Sequence, residues 1–198
     1  MKMTPTVLRW LLVMLLICSQ ASAVEQLVHR AFCELTLPQS DKEVPCYADV
    51  VRNTETQATE LRIYVEKGTG RETYKRRLEA GQEFVQSVGS IYLHGLGRVF
   101  YVDWQWGALS QGLTLYSLGA GGQIKEAFRD GGIYGYRVVK MPDADFPQIV
   151  ILDRDDADSS RVARVYAVMS NGEIGKPSVR RSRGPFSVEL KSSNNRPD

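Results

Sequence analysis

From residue 24 onward, apolar and polar residues alternate with a period of two along most of the chain. Short runs such as LRIYV, RVFYVDW, QIVIL and RVYAV each stop at glycine, asparagine, aspartate or proline. Alternation over a few residues between turn formers is the pattern of β-strands. The helical period is not sustained anywhere. RETYKRRLEAGQEF (71–84) comes nearest, but it aligns with QIKEAFRDGGIY. That alignment favours hairpins, with turns at Ala80-Gly81 and Gly131-Gly132. The pattern predicts an all-β protein.

The strand pattern also recurs. Displaced by 50 residues, Val102 falls on Leu152, Asp103 on Asp153, Leu115 on Val165, Tyr116 on Tyr166, Gly122 on Gly172 and Ile124 on Ile174. Phe84 meets Tyr134, Gly81 meets Gly131 and Val88 meets Val138. LRIYVEKGTG (61–70) lies over TLYSLGAGG and RVYAVMSNG at a slightly larger offset. Three units follow, roughly 28–85, 88–136 and 138–190, each with four short strands. The expected fold is three four-stranded repeats of about 50 residues arranged as propeller-like blades. A β-trefoil also has three four-stranded units and is the alternative. Three blades are few for a closed ring, so a small ring, an open array or a six-bladed ring completed by a homodimer are the expected assemblies.

Unit three carries a family resemblance. Met141-Pro142-Asp143-Ala144-Asp145-Phe146-Pro147-Gln148-Ile149-Val150, followed by VYAVMSNGEI (165–174), resembles the acidic loop, strand and hairpin of FG-GAP/VCBS-type propeller blades. The resemblance implies a propeller-like strand order. The family's calcium-loop glycine is missing here, Gln148 stands where an acid is usual, and units one and two lack the Asp-x-Asp pair.

The ends of the chain modify this picture. Residues 1–23 read as an export signal, with Lys2 and Arg9, an apolar core WLLVMLLIC and the small residues Ala21-Ser22-Ala23 before the cut. The apolar core is short for a bilayer span. Ile17 is too bulky for a lipoprotein signal at Cys18. The mature chain is expected to start at Val24, with one β-repeat domain over 24–190, no membrane span and a disordered tail over 191–198. The whole sequence has 25 basic and 23 acidic residues. Both bases of the leader leave with it, so the mature chain is formally neutral. Bases outnumber acids from Lys176 onward and the body before it is acidic, an asymmetry that marks either an anionic contact or a solvated tail. An exported chain with an acidic body is not expected to bind nucleic acid.

Cys33 and Cys46 remain after processing. An even count in an exported chain predicts a disulfide, which joins neighbouring strands and contributes roughly 3 kcal/mol for a loop of this size. They lack the C-x-x-C spacing of a redox pair. In VFYVDWQWGALSQGLTLY, alternation puts Val99, Tyr101, Asp103 and Gln105 on one face and Phe100, Val102, Trp104 and Trp106 on the other. Trp104 and Trp106 approach a turn, where they and Tyr101 could form a platform for a sugar or a protein; the alternative is core packing. Asp153, Asp155 and Asp158, near Asp143 and Asp145, are the candidate calcium ligands, although Arg154 and Arg161 could neutralise the cluster instead. No other cofactor is indicated.

His29 and His94 sit in no nucleophile or metal motif, and no phosphate-cradling loop precedes a helix, so no catalytic residue is assigned and the chain is not expected to be an enzyme. The expected function is an exported, periplasmic or secreted binding protein that recognises a protein partner in or outside the cell envelope, such as an inhibitor or immunity protein. A glycan-binding module and an unrecognised hydrolase are the alternatives.

Overall fold

The computed structural model describes residues 24–38, 40, 42–67, 70–78, 83–119, 121–139, 146–155 and 157–182. The leader, Asp143, Asp145 and the tail lie outside the described residues. Within them the alternating runs form twelve strands and no helix. β1 (Glu25–Thr36), β2 (Glu43–Asn53), β3 (Thr59–Lys67) and β4 (Gly70–Leu78) make sheet A. β5 (Glu83–Leu93), β6 (Gly97–Trp106), β7 (Ser110–Leu118) and β8 (Ile124–Gly132) make sheet B. β9 (Tyr136–Val139), β10 (Gln148–Arg154), β11 (Arg161–Ala167) and β12 (Ser178–Ser182) make sheet C. Every sheet is an antiparallel meander in chain order.

The protein is therefore all-β, with three four-stranded units. Strand pairing ends within each sheet, so the described residues do not close the barrel that a trefoil needs. Gly131 and Gly132 are the last residues of β8, and the chain then passes to sheet C. The turn expected there is a connection between sheets, not a hairpin. Ala80-Gly81 lies outside the described residues, between β4 and β5. Arg180 and Arg181 lie in β12.

The repeat is real in its turns and slips in one strand. The amide of Gly119 donates to Gln123 O and that of Gly122 to Gly119 O, at 2.7 and 2.8 Å. Fifty residues on, Met169 donates to Glu173 O and Gly172 to Met169 O, at 2.8 and 3.0 Å. Gly122 and Gly172 both take a positive φ, 73° and 77°, which glycine adopts at little cost. In the second strand the equivalence is out by one. Asp103 pairs with Leu113, whereas Asp153 pairs with Val162, one residue short of the repeat. A one-residue shift reverses every side chain. The Asp103 face of β6 looks toward sheet C, and the Asp153 face of β10 looks back toward sheet B.

Sheet B is the middle layer. Its even-numbered β6 residues Phe100, Val102 and Trp104, with Tyr116, Leu118 and Ile124, pack on Cys33, Leu35, Ala48, Val50, Leu61, Ile63 and Val65 of sheet A. Its other face, with Val99, Leu113, Leu115 and Phe128, packs on Ile149 and Ile151 of sheet C. Residues 112–118 of β7 are all buried, since this strand has no solvent face. Burying one such aliphatic or aromatic side chain contributes about 1.5–3 kcal/mol.

Cys33 and Cys46 lie directly opposite each other in β1 and β2, with Cα atoms 5.0 Å apart, and are disulfide-bonded. Such a bond belongs to an oxidising, non-cytoplasmic compartment. No helix among the described residues is long and apolar enough to cross a membrane.

Candidate functional site

The outer face of sheet A follows from the parity of β1. Cys33 and Leu35 point into the core at 7% and 0% exposure. Alternation must then turn Arg30, Phe32 and Glu34 outward. The register sets Phe32 opposite Tyr47, and Tyr47 opposite Tyr64. The Phe32 and Tyr47 ring centroids are 6.3 Å apart, and Tyr47 and Tyr64 stack at 4.6 Å with 20° between planes. Phe32 ends this row 81% exposed.

Beneath the aromatic row runs a charged one, Arg30 opposite Asp49 opposite Arg62. Arg30 donates from Nε and Nη2 to the two oxygens of Asp49, at 2.7 and 2.8 Å. Its guanidinium also sits 5.9 Å from the Tyr47 ring centroid, so one arginine ties the charged row to the aromatic one. Arg62 holds Glu25 through two bonds of 2.9 and 2.6 Å and donates from Nε to Glu60 at 3.1 Å. The hydrogen bonds from Arg62 hold the Glu25 carboxyl below its ordinary value. Beside this group lies a cleft of about 290 Å³, lined by residues that include Val51, Asn53, Thr56, Thr59, Glu60 and Arg62.

The three residues expected as an aromatic platform are not one surface. Trp104 is fully buried. Its Nε1 donates to Thr114 Oγ1 at 2.7 Å, and the guanidiniums of Arg76 and Arg129 lie 5.2 and 5.3 Å from its ring. It fills the space between sheets A and B and offers no face to a ligand. Trp106 is half-buried on the same side, its ring over Gly112 and Gly131, where a Cβ would collide with it. Tyr101 lies on the opposite side of sheet B, packed over Gly89 toward sheet C. Successive strand positions look in opposite directions, and here both directions lead into a core.

The candidate calcium ligands are likewise committed elsewhere. Asp153 accepts from Arg164 Nη1 at 2.9 Å and from the amides of Arg154 and Ile133. Burial raises its carboxyl, but these bonds outweigh that and leave it below its ordinary value. Asp155 pairs with Arg181 at 2.9 Å, and Asp158 accepts from the Ser160 amide. Among the described residues no three metal-binding side chains converge. Arginine side chains and turn amides bond to an oxygen of each of the three.

Arg164 is the hub of a network that sequence reasoning missed. It donates from Nε and Nη2 to both Asp130 oxygens, at 2.8 and 3.0 Å, and to Gly131 O at 2.7 Å. Tyr166 OH donates to the same Asp130 at 2.5 Å, and burial with this bond pushes its pKa up to about 12. These contacts stitch β8 to β11 across the interface of sheets B and C. His94 is exposed in the β5–β6 turn, its ring 4.7 Å from that of Phe146, and His29 is half-buried in β1.

Phe32 was legible in principle. In FCELTL it shares the polar parity with Glu34, an aromatic in a register otherwise given to solvent. Tyr47 and Tyr64 could be joined to it only once the strand register was known. In comparisons with protein-family models, curated proteins and solved structures, nothing matches this chain.

Proposed function

We propose that this chain is an exported binding protein, periplasmic or secreted, that recognises a protein partner through the outer face of sheet A. An inhibitor or immunity protein is the kind of molecule meant. The observation that carries this reading is Phe32, 81% exposed at the end of the Tyr47–Tyr64 stack and beside the bidentate Arg30–Asp49 pair. Exposed aromatics and arginine held in place by neighbours are the residue types on which protein interfaces concentrate their binding energy. Tyr47 and Tyr64 turn ring faces to each other, which favours a protein contact over a sugar stacked flat on the rings. The disulfide supports export. The successive four-stranded meanders, packed face to face, support propeller-like blades of the FG-GAP/VCBS kind.

The test is capture from envelope and secreted fractions by the oxidised chain, by a Phe32→Asp form and by a Tyr92→Asp form. Tyr92 is 60% exposed on another sheet and serves as the control. A stoichiometric partner retained by wild type and Tyr92→Asp, and lost by Phe32→Asp, is the expected result. No partner at micromolar concentration, or equal capture by all three forms, would sink the proposal. Glycan recognition is the second reading, supported by the polar cleft beside Arg62. It requires polysaccharide retention that Glu60→Gln abolishes.

A further inference from the structure

The outer face of sheet C differs in kind from that of sheet A. Register places Arg137 opposite Val150, Arg154 opposite Arg161 and Ala163 opposite Arg180. Alternation gathers these residues on the face turned away from Ile149 and Ile151. Four arginines thus share one face with Val139, Gln148, Leu152 and Val165 and with Val150 and Ala163, which are themselves buried at 7% and 4%, so it is the guanidiniums that meet solvent; the four strands contribute no carboxylate to it. All four arginines are exposed. Among the described residues none of the four has an ion pair, whereas Arg30 and Arg62 on sheet A are each matched by carboxylates. Arg154 and Arg161 are like charges placed directly opposite, an arrangement that destabilises a sheet. Arg161 lies 5.4 Å from the ring of Tyr134, itself 48% exposed, so an aromatic borders the patch.

We propose that this face seats the protein on a bilayer surface carrying anionic headgroups. Strand and residue spacing spread the arginines over a square of about 14 Å on a side. They form a plane and not a line, which matches a plane of phosphates better than it matches an extended polyanion. Among the described residues the face carries no exposed aromatic at its centre to anchor in a protein pocket, the feature that marks the opposite end of the stack. A tyrosine at the rim is a residue type enriched at membrane–water interfaces. The proposal is independent of the partner site on sheet A.

The test is cosedimentation of the full chain with zwitterionic vesicles and with vesicles containing about a quarter anionic lipid. The leader, with Lys2 and Arg9, is present in every form; the zwitterionic arm reports its apolar contribution, and its charge contribution is the same in all forms and cancels when they are compared. One arginine near an anionic surface is worth about fivefold in partitioning. Wild type should prefer the anionic vesicles by at least about tenfold at low salt, and lose the preference as salt shortens the screening length. Arg154→Gln alone and Arg180→Gln alone should each lose about fivefold, which keeps the test valid if a multiple variant misfolds. Arg137, Arg154, Arg161 and Arg180 changed together to glutamine should lower the preference further than either single change, leaving only what the leader contributes. Equal binding to both vesicles, or a preference that survives undiminished in the single and quadruple variants, overturns the proposal. So does salt-sensitive retention on a nucleic acid or sulfated polysaccharide without vesicle binding.

Discussion

Trp104 offers the sharpest test of how the layers hold together. It is fully buried, its indole N–H is bonded to Thr114 at 2.7 Å, and a guanidinium lies near the ring from each of two sheets. Trp104→Ala empties the largest side-chain site between sheets A and B and should cost about 3–5 kcal/mol. Against a usual stability of about 5–15 kcal/mol for a domain, that is a large share. Trp104→Phe keeps an aromatic ring but loses the hydrogen bond, part of both cation–π contacts and some volume, together about 2–3 kcal/mol. Thr114→Val leaves the buried indole N–H without its acceptor, about 1–3 kcal/mol. Removing both partners together should cost less than the sum of the two single changes, by about 1 kcal/mol. The assay is urea unfolding of the oxidised chain at neutral pH, comparing midpoints at constant slope. A loss below about 0.5 kcal/mol for Trp104→Ala is the cost of an ordinary surface change, and it would refute the buried site. Strict additivity in the cycle would refute the hydrogen bond.

Two further outcomes follow from buried groups. Reduction of Cys33–Cys46, or replacement of both by serine, should lower stability by roughly 3 kcal/mol, read as the urea midpoint with and without reductant; an unchanged midpoint refutes the bridge. Asp103 is half-buried between sheets B and C, and burial raises its carboxyl against the opposing hydrogen bonds of Ser87 and Tyr136. A raised folded-state value means that the linked stability is present at low pH and is lost as pH rises through that value. Asp103→Asn removes this dependence. Relative to wild type the variant should gain stability at pH 7, with the gap narrowing as pH is lowered toward the ordinary carboxylate range in paired urea titrations; a gap that widens on acidification refutes the sign.

Much of the fold was legible because it is written in local chemistry. Period-two alternation marked the strands, and Gly122 and Gly172 marked equivalent turns because few other residues adopt a positive φ cheaply. Cys33 and Cys46 lie on strands whose parity and spacing brought them face to face. The Asp103–Asp153 equivalence misled, since matching residue types says nothing of a one-residue slip that turns the side chain to the other face.

The site was much less legible. Alternation separated Trp104 from Tyr101, but it could not say that both faces of sheet B would be covered. In an isolated sheet one of those faces meets water. Here sheets A and C take both, so the aromatic-rich unit becomes the interior and the plainer first and last units become the surface. Where a strand runs without a bulge, the sequence alone determined which side chains share a face, because the pleat alternates them; the irregularity in β8, which sends Ile124 and Phe128 to opposite faces, came only with the strand pairing. Only the tertiary structure decided which faces meet solvent, because layer packing depends on contacts between residues far apart in the chain. It therefore buried Trp104, left Phe32 exposed, paired Asp153 and Asp155 with arginines, and gathered four other arginines on the outer face of sheet C.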